Sequence, residues 1–210
     1  MEEVNRIIQY FSYNSKITLS FFFISLAVLA LNWLTRGAAN RYVFSTERAS
    51  LLNPLTYIRF FTHILGHKDW DHFVGNFMKI LLVGPLLEEK YGSTVFLIMI
   101  LVTAFITAIV NFITGKNRSY GASGIAFMMI VCAALTNLSN DKIPLTLVLI
   151  ILFYLIDEIK GLFKNDTINH TSHLIGAATG FVYGYVYINS FIMEKLTGFL
   201  TFIVSHLRWE

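Results

Sequence analysis

Val95 to Ile113 reads VFLIMILVTAFITAIVNFI, nineteen residues without a charge. A helix rises about 1.5 Å per residue, so a run of this length crosses the ~30 Å hydrocarbon core of a bilayer. The run has no two-residue alternation, which argues against a strand of a membrane barrel. The rest of the chain has the same character. Its 210 residues are 55% apolar and 14% charged, with nineteen Phe and a mean hydropathy of +0.61. Soluble domains carry about a quarter charged residues, and a chain of this size has too little interior to hide so much apolar surface from water. The composition excludes a disordered protein, a disulfide scaffold and a nucleic-acid binder. Cys132 is the single cysteine, and the net charge of +3 is scattered, with no basic tract.

Working outward, five more apolar runs appear: Ile17 to Leu34, His72 to Leu87, Ser123 to Leu138, Ile143 to Ile156 and His173 to Ile192. The expected fold is an all-α polytopic membrane protein, a bundle of six transmembrane helices over residues 17–192. Three of the runs are short. Short helices ringed by longer ones end below the membrane surface and leave a wet cavity, where polar chemistry in a membrane has to take place. The first run exceeds the apolar stretch of a secretory signal and is expected to be retained, although Arg36-Gly37-Ala38-Ala39 has a faint look of a cleavage region. Residues 1–16 mix charge with Ile7, Ile8, Tyr10 and Phe11, as a segment lying on the membrane surface does. Thr35 to Asp71 is too long for a plain connection and is expected to be a structured or functional insertion. Residues 193–210 are expected to form a short tail. Many transporters are built from duplicated halves, and no internal repeat is visible here.

Polar residues inside apolar runs are functional suspects, because each costs several kcal/mol unless it is satisfied. Ser119-Tyr120-Gly121-Ala122-Ser123-Gly124 leads into the fourth run. Ser123 is either a helix N-cap or a nucleophile at a helix N-terminus, where backbone N–H groups and the dipole favour an anion. The glycines on either side would let a substrate backbone come close. In the sixth run, His173 precedes Gly176, Gly180 and Gly184 on one helical face. Such a stripe lets helix backbones approach in lipid. It is either plain helix packing, or the device that brings His173 to Ser123 as the base a serine nucleophile needs. His72 and Asn76 share a face at the start of the second run. They are capping groups or hydrogen-bond donors to an oxyanion. Lys79, two turns deeper, is a rival base. His63 and His67 repeat the four-residue spacing upstream, but the chain has no His-Glu-x-x-His and no cysteine partner for zinc, so no metal or other cofactor is expected. Glu88 is expected to cap or anchor the turn at the far end of the second helix.

Together these residues resemble the rhomboid family of intramembrane serine proteases, from Arg59 to Gly184, about three-fifths of the chain. Arg59-Phe60-Phe61-Thr62-His63 with His67, His72-x-x-x-Asn76, Glu88 with Gly92, Gly121-Ala122-Ser123-Gly124 and His173-x-x-Gly176-x-x-x-Gly180 fall in the family's order. Each motif is short and weak alone, and their order on the expected helices is what makes the resemblance specific. Two positions depart from it. Ile58 stands where a tryptophan is frequent, and Phe127 stands where a tyrosine often stacks on the base histidine.

The resemblance implies a Ser123/His173 dyad and an acyl-enzyme, with His72 and Asn76 stabilising the oxyanion. Gly121, Gly124, Phe127, Gly176 and Gly180 would then be structural supports. The implied substrates are transmembrane segments of membrane proteins, and residues 143–169 would form a lateral gate and cap. The alternative is a catalytically inactive rhomboid-like binding or quality-control factor, and a transporter is a third class. The implied topology places residues 35–71 outside the cell. That puts six Lys and Arg on the inner side and nine on the outer, against the positive-inside rule, but long loops translocate with little regard to charge. A bacterial or archaeal cell membrane is the expected location.

Overall fold

A computed structural model describes residues 13–114, 118–136, 145–150, 152–153, 156–161 and 170–206. Their regular structure is helical, apart from an isolated bridge between Thr46 and Ser119. Residues 1–12 of the expected surface segment, and 143–144, 151, 154–155 and 162–169 of the expected gate and cap, lie outside the described residues.

Helices α1 (Lys16–Leu34) and α5 (Ser93–Thr114) are each long and apolar enough to cross a membrane. Two others that the sequence marks as spans fail that test, each for its own reason. Helix α4 (Trp70–Tyr91) has 22 residues but carries Asp71, Lys79 and Glu88 to Lys90. Helix α6 (Ser123–Thr136) is apolar but has only 14 residues. It is also enclosed: Ile125, Met128, Met129 and Cys132 have almost no exposure. A helix surrounded by other helices has no need to match the thickness of lipid. The outer face of α5 is the reverse, with Ile98, Leu101, Val102 and Phe105 exposed side by side. A continuous apolar surface of this kind suits lipid rather than water.

Helices α7 (Leu145–Ile150) and α8 (Ile156–Gly161) follow, and α9 runs from His170 to His206, 37 residues. The last helix therefore continues through most of the stretch that the sequence suggests is a separate tail. Glu194 and Lys195 interrupt the apolar run there, but both are good helix formers and do not break a helix.

Helix α1 seats on α4. Phe21 meets Phe77 edge-on at 5.2 Å, and Gly84 leaves room for Thr18, whose Cγ2 is 2.9 Å from where a Cβ would stand. Ser15, at the N-cap of α1, makes no side-chain capping bond. Glu88 supplies it from the far end of α4. Its carboxylate accepts the Ile17 N–H (2.9 Å), the Thr18 N–H (3.0 Å) and the Thr18 hydroxyl (2.9 Å), and it also takes the Ser93 hydroxyl (2.7 Å). Glu88 does anchor a turn, and it also caps a helix that sequence spacing could not assign to it. Glu88→Ala leaves buried donors orphaned and is expected to cost about 3 kcal/mol, read as a lowered thermal midpoint in detergent. An unchanged midpoint would mean the cap adds nothing.

The long connection between α1 and α4 is structured. It holds α2 (Ala38–Tyr42), α3 (Pro54–Thr62) and a 3-10 turn (His63–Leu65). Pro54 opens α3, and the Asn53 side chain accepts the Leu55 N–H at 3.0 Å. Buried Arg59 organises this insertion. Its guanidinium donates to the Ser45 carbonyl (2.6 Å), the Arg41 carbonyl (3.2 Å) and the Glu47 carboxylate (2.9 Å). Arg118 pairs with the same carboxylate at 3.0 Å. Burial alone would raise the Glu47 pKa, but the hydrogen bonds and charges of Arg59 and Arg118 outweigh it and hold the carboxyl below its usual range.

Candidate active site

The insertion is tied directly to the loop that leads into α6. Thr46 and Ser119 exchange backbone hydrogen bonds at 2.8 and 2.9 Å, and the Asn111 amide of α5 donates to the Thr46 carbonyl at 3.1 Å. Two residues on, the Gly121 N–H donates to the His63 carbonyl at 3.0 Å. Thr46 and Asn111 thus hold the loop that carries Gly121, and neither stands out as a site residue in the sequence motifs. Asn111 was detectable as a polar side chain in an apolar run, whereas Thr46 carried no signal.

Gly121 has φ +127°, a region that favours glycine. The loop then turns into α6 with Ser123 as the first helical residue. Ala122 takes the N-cap position, its carbonyl accepting the Ala126 N–H at 2.9 Å. Ser123 is therefore not the cap of this helix. It is half-buried, and the residues around it are buried.

Helix α9 comes against α6 backbone to backbone. A Cβ on Gly176 would collide with the Gly124 carbonyl, and one on Gly180 would collide with the Met128 carbonyl. From the other side, a Cβ on Gly124 would lie 3.1 Å from the Ser172 carbonyl. The neighbours of Ser123 and His173 are thus in direct contact, and the glycine stripe produces that closeness. The His173 ring stacks on Phe127 with centroids 4.6 Å apart and planes within 11°. Phe127 keeps the aromatic platform without a hydroxyl.

His72 and Asn76 reach the same loop from α4. Neither caps that helix, because Asp69 does: its carboxylate accepts the His72 N–H at 2.9 Å. A Cβ on Gly121 would stand 3.0 Å from His72 Nε2 and 3.8 Å from Asn76 Nδ2. Only a glycine lets the imidazole rest on the backbone here. His72 Nδ1 accepts the Lys68 N–H at 3.4 Å, so a neutral ring carries its proton on Nε2, the nitrogen facing the loop. Asn76 is buried, and its Nδ2 has no partner among the described residues. A buried amide donor without a partner costs free energy, and an anion arriving there would recover it. Lys79 lies deeper on α4 and is half-buried.

Behind the site, His63 and His67 are buried. His63 Nε2 lies 3.4 Å from the Thr107 hydroxyl, and the His67 ring packs against His72 and Phe77. Burial pushes the His63 pKa down to about 4, and burial with the neighbouring His72 does the same to His67, also to about 4. In the folded protein both rings stay neutral down to about pH 4, whereas an unfolded chain protonates them below about pH 6.5. Their contribution is therefore complete above that pH and is lost as the pH falls towards 4, by up to about 3 kcal/mol per histidine. The thermal midpoint in detergent is expected to drop across this window, and His67→Gln is expected to flatten the drop. An acid profile unchanged by His67→Gln would refute the assignment.

A family model described as the rhomboid domain matches residues 54–190. The chain is also similar to the rhomboid protease GluP of Bacillus subtilis (strain 168). They are 29% identical over 174 residues, covering 80% of this chain and 34% of that protein. It is 26% identical over 163 residues to rhomboid-like protein 11, chloroplastic, of Arabidopsis thaliana, covering 70% of this chain and 56% of that protein. The chain thus spans about a third and somewhat over half of the length of these relatives. The matched segment starts at the first residue of α3, continues through the loop before α6 and ends within α9. With a family model covering well over half of its residues, this chain belongs to the rhomboid family.

Proposed function

We propose that this protein is an intramembrane serine endopeptidase, a six-helix rhomboid bundle that cuts transmembrane segments of other membrane proteins. The observation that carries the reading is the convergence on one short loop. His72 and Asn76 flank Gly121 from one side, and α9 presses its His173 end against the Ser123 end of α6 on the other. His173 takes the proton of the Ser123 hydroxyl as its oxygen attacks a peptide carbonyl. The oxyanion of the tetrahedral intermediate accepts hydrogen bonds from the Ser123 N–H, His72 Nε2 and Asn76 Nδ2. His173 then protonates the leaving amine, and water, deprotonated by the same ring, releases the acyl group from Ser123.

The substrate helix must unwind first, because its carbonyls are bonded within the helix. A multi-pass location in a bacterial or archaeal cell membrane fits the bacterial relative, and the apolar exterior of α5 fits a lipid surround. Removing one oxyanion donor by Asn76→Ala is expected to lower kcat by about 10²-fold with little change in KM. Equal kcat values would take Asn76 out of the site.

The test is labelling of the detergent-purified protein by a fluorophosphonate, in wild type, Ser123→Ala, His173→Ala and Lys79→Met. Loss in the first two variants and retention in the third supports the dyad. Loss with Lys79→Met and retention with His173→Ala replaces it with a Ser/Lys pair. A folded wild type that does not label points to the inactive binding-factor reading.

A further inference from the structure

A groove of about 620 Å³ lies between the end of α1 and the start of α4, on the outer side of the elements that hold His72. Its two halves differ in chemistry. Leu26, Leu29 and Ala30 of α1 form an apolar wall, and Arg36 and Lys68 stand over it where both helices end. Trp33 and Trp70 flank the opening, 80% and 60% exposed. Paired tryptophans at helix ends mark the membrane–water interface. An apolar wall below two cations at that level matches an amphiphile with an anionic head.

Two features set this groove apart from a general basic surface. The Arg36 and Lys68 side chains have no ion-pair or hydrogen-bond partner among the described residues. Arg36 also adopts φ +51°, a left-handed conformation that is unfavourable for a side chain other than glycine, asparagine or aspartate. The chain holds a cation there at some conformational cost. Asp69 also faces the groove, and it opposes an anion. Its Oδ1 accepts the His72 N–H, and the two cations leave a net positive charge.

We propose that this groove binds an anionic phospholipid of the surrounding leaflet, its phosphate held by Arg36 and Lys68, and that occupancy fixes His72. The second part follows from the hydrogen bonds. Lys68 and Asp69 line the groove, and they are also the residues that hold His72. The Lys68 N–H donates to His72 Nδ1, and the Asp69 carboxylate accepts the His72 N–H. A lipid that orders residues 68–70 orders the ring facing Gly121. This coupling rests on the proteolytic reading above, whereas the binding site does not.

The test uses the full chain purified in mild detergent, with phosphatidylglycerol or phosphatidylcholine added, read by native mass spectrometry. Wild type is expected to retain one phosphatidylglycerol and at least tenfold less phosphatidylcholine. The variant Arg36→Asn with Lys68→Gln is expected to lose that preference. Asn tolerates the left-handed backbone, and the Lys68→Gln change keeps the backbone N–H that holds His72. Equal retention of the two lipids by wild type, or undiminished phosphatidylglycerol retention by a variant with an unchanged thermal midpoint, overturns the site. In liposomes, cleavage by wild type is expected to rise severalfold with phosphatidylglycerol content, while the variant stays flat. Binding without that rise keeps the site and overturns the coupling. A wild type that binds the lipid but cleaves nothing refutes the protease reading and leaves the site standing.

Discussion

Cleavage of a transmembrane substrate in liposomes is expected to fall by about 10⁴-fold in Ser123→Ala and equally in His173→Ala, with the double variant no worse than either single one. The equality is the informative part. A serine hydroxyl is a poor nucleophile until its proton has somewhere to go, so a dyad works as one unit and the penalties of its members do not add. The described residues favour His173 as that base. Its ring lies flat on Phe127, one turn into α6 from Ser123, and the glycine contacts below it fix the spacing of the two helices. Ser123→Ala removes only a hydroxyl, so its thermal midpoint is expected to stay close to that of wild type, whereas His173→Ala also loses the stacking on Phe127 and is expected to melt a few degrees lower while remaining folded. Additive losses in the double variant, or substantial cleavage by His173→Ala, would mean that His173 does not activate Ser123.

Gly176→Val is expected to be the most damaging substitution outside the dyad. The new Cβ would occupy the position of the Gly124 carbonyl, which is backbone and cannot rotate away. Helix α9 would have to back off along its contact with α6. Overpacking of this kind costs about 3 kcal/mol or more, equivalent to a fall of about 10 °C in the thermal midpoint. Activity would fall with it, because the displaced helix carries His173. Gly75→Ala is the control. Gly75 lies on the exposed face of α4 with nothing within 4 Å of a new Cβ. There the better helix propensity of alanine is expected to raise stability by up to about 1 kcal/mol. Equal midpoints for Gly176→Val and wild type would show that α9 and α6 do not depend on this contact.

The residues placed at the site were legible in the sequence because lipid makes polar groups conspicuous. A serine, histidines and an asparagine next to apolar runs need a reason to be there, and the four-residue spacing of Gly176, Gly180 and Gly184 marks one helical face. Span number was harder to read from apolar runs. Helix α6 is only 14 residues long because helices surround it, so its length reflects its neighbours and not the bilayer. The continuation of α9 to His206 was hidden for a related reason, since hydropathy reports the solvent around a helix and not where it ends.

Composition and periodicity by themselves determined that this chain is helical, membrane-embedded and equipped with a serine and histidines on helix starts. Those properties follow from each residue's own solvation and from local geometry. Only the tertiary structure decided which groups meet: Glu88 at the start of α1, Thr46 with Ser119, and His72 with Gly121. A hydrogen bond between positions 70 residues apart leaves no periodic trace in a sequence. It exists because a buried donor without a partner is costly, and the fold brings the partner to it.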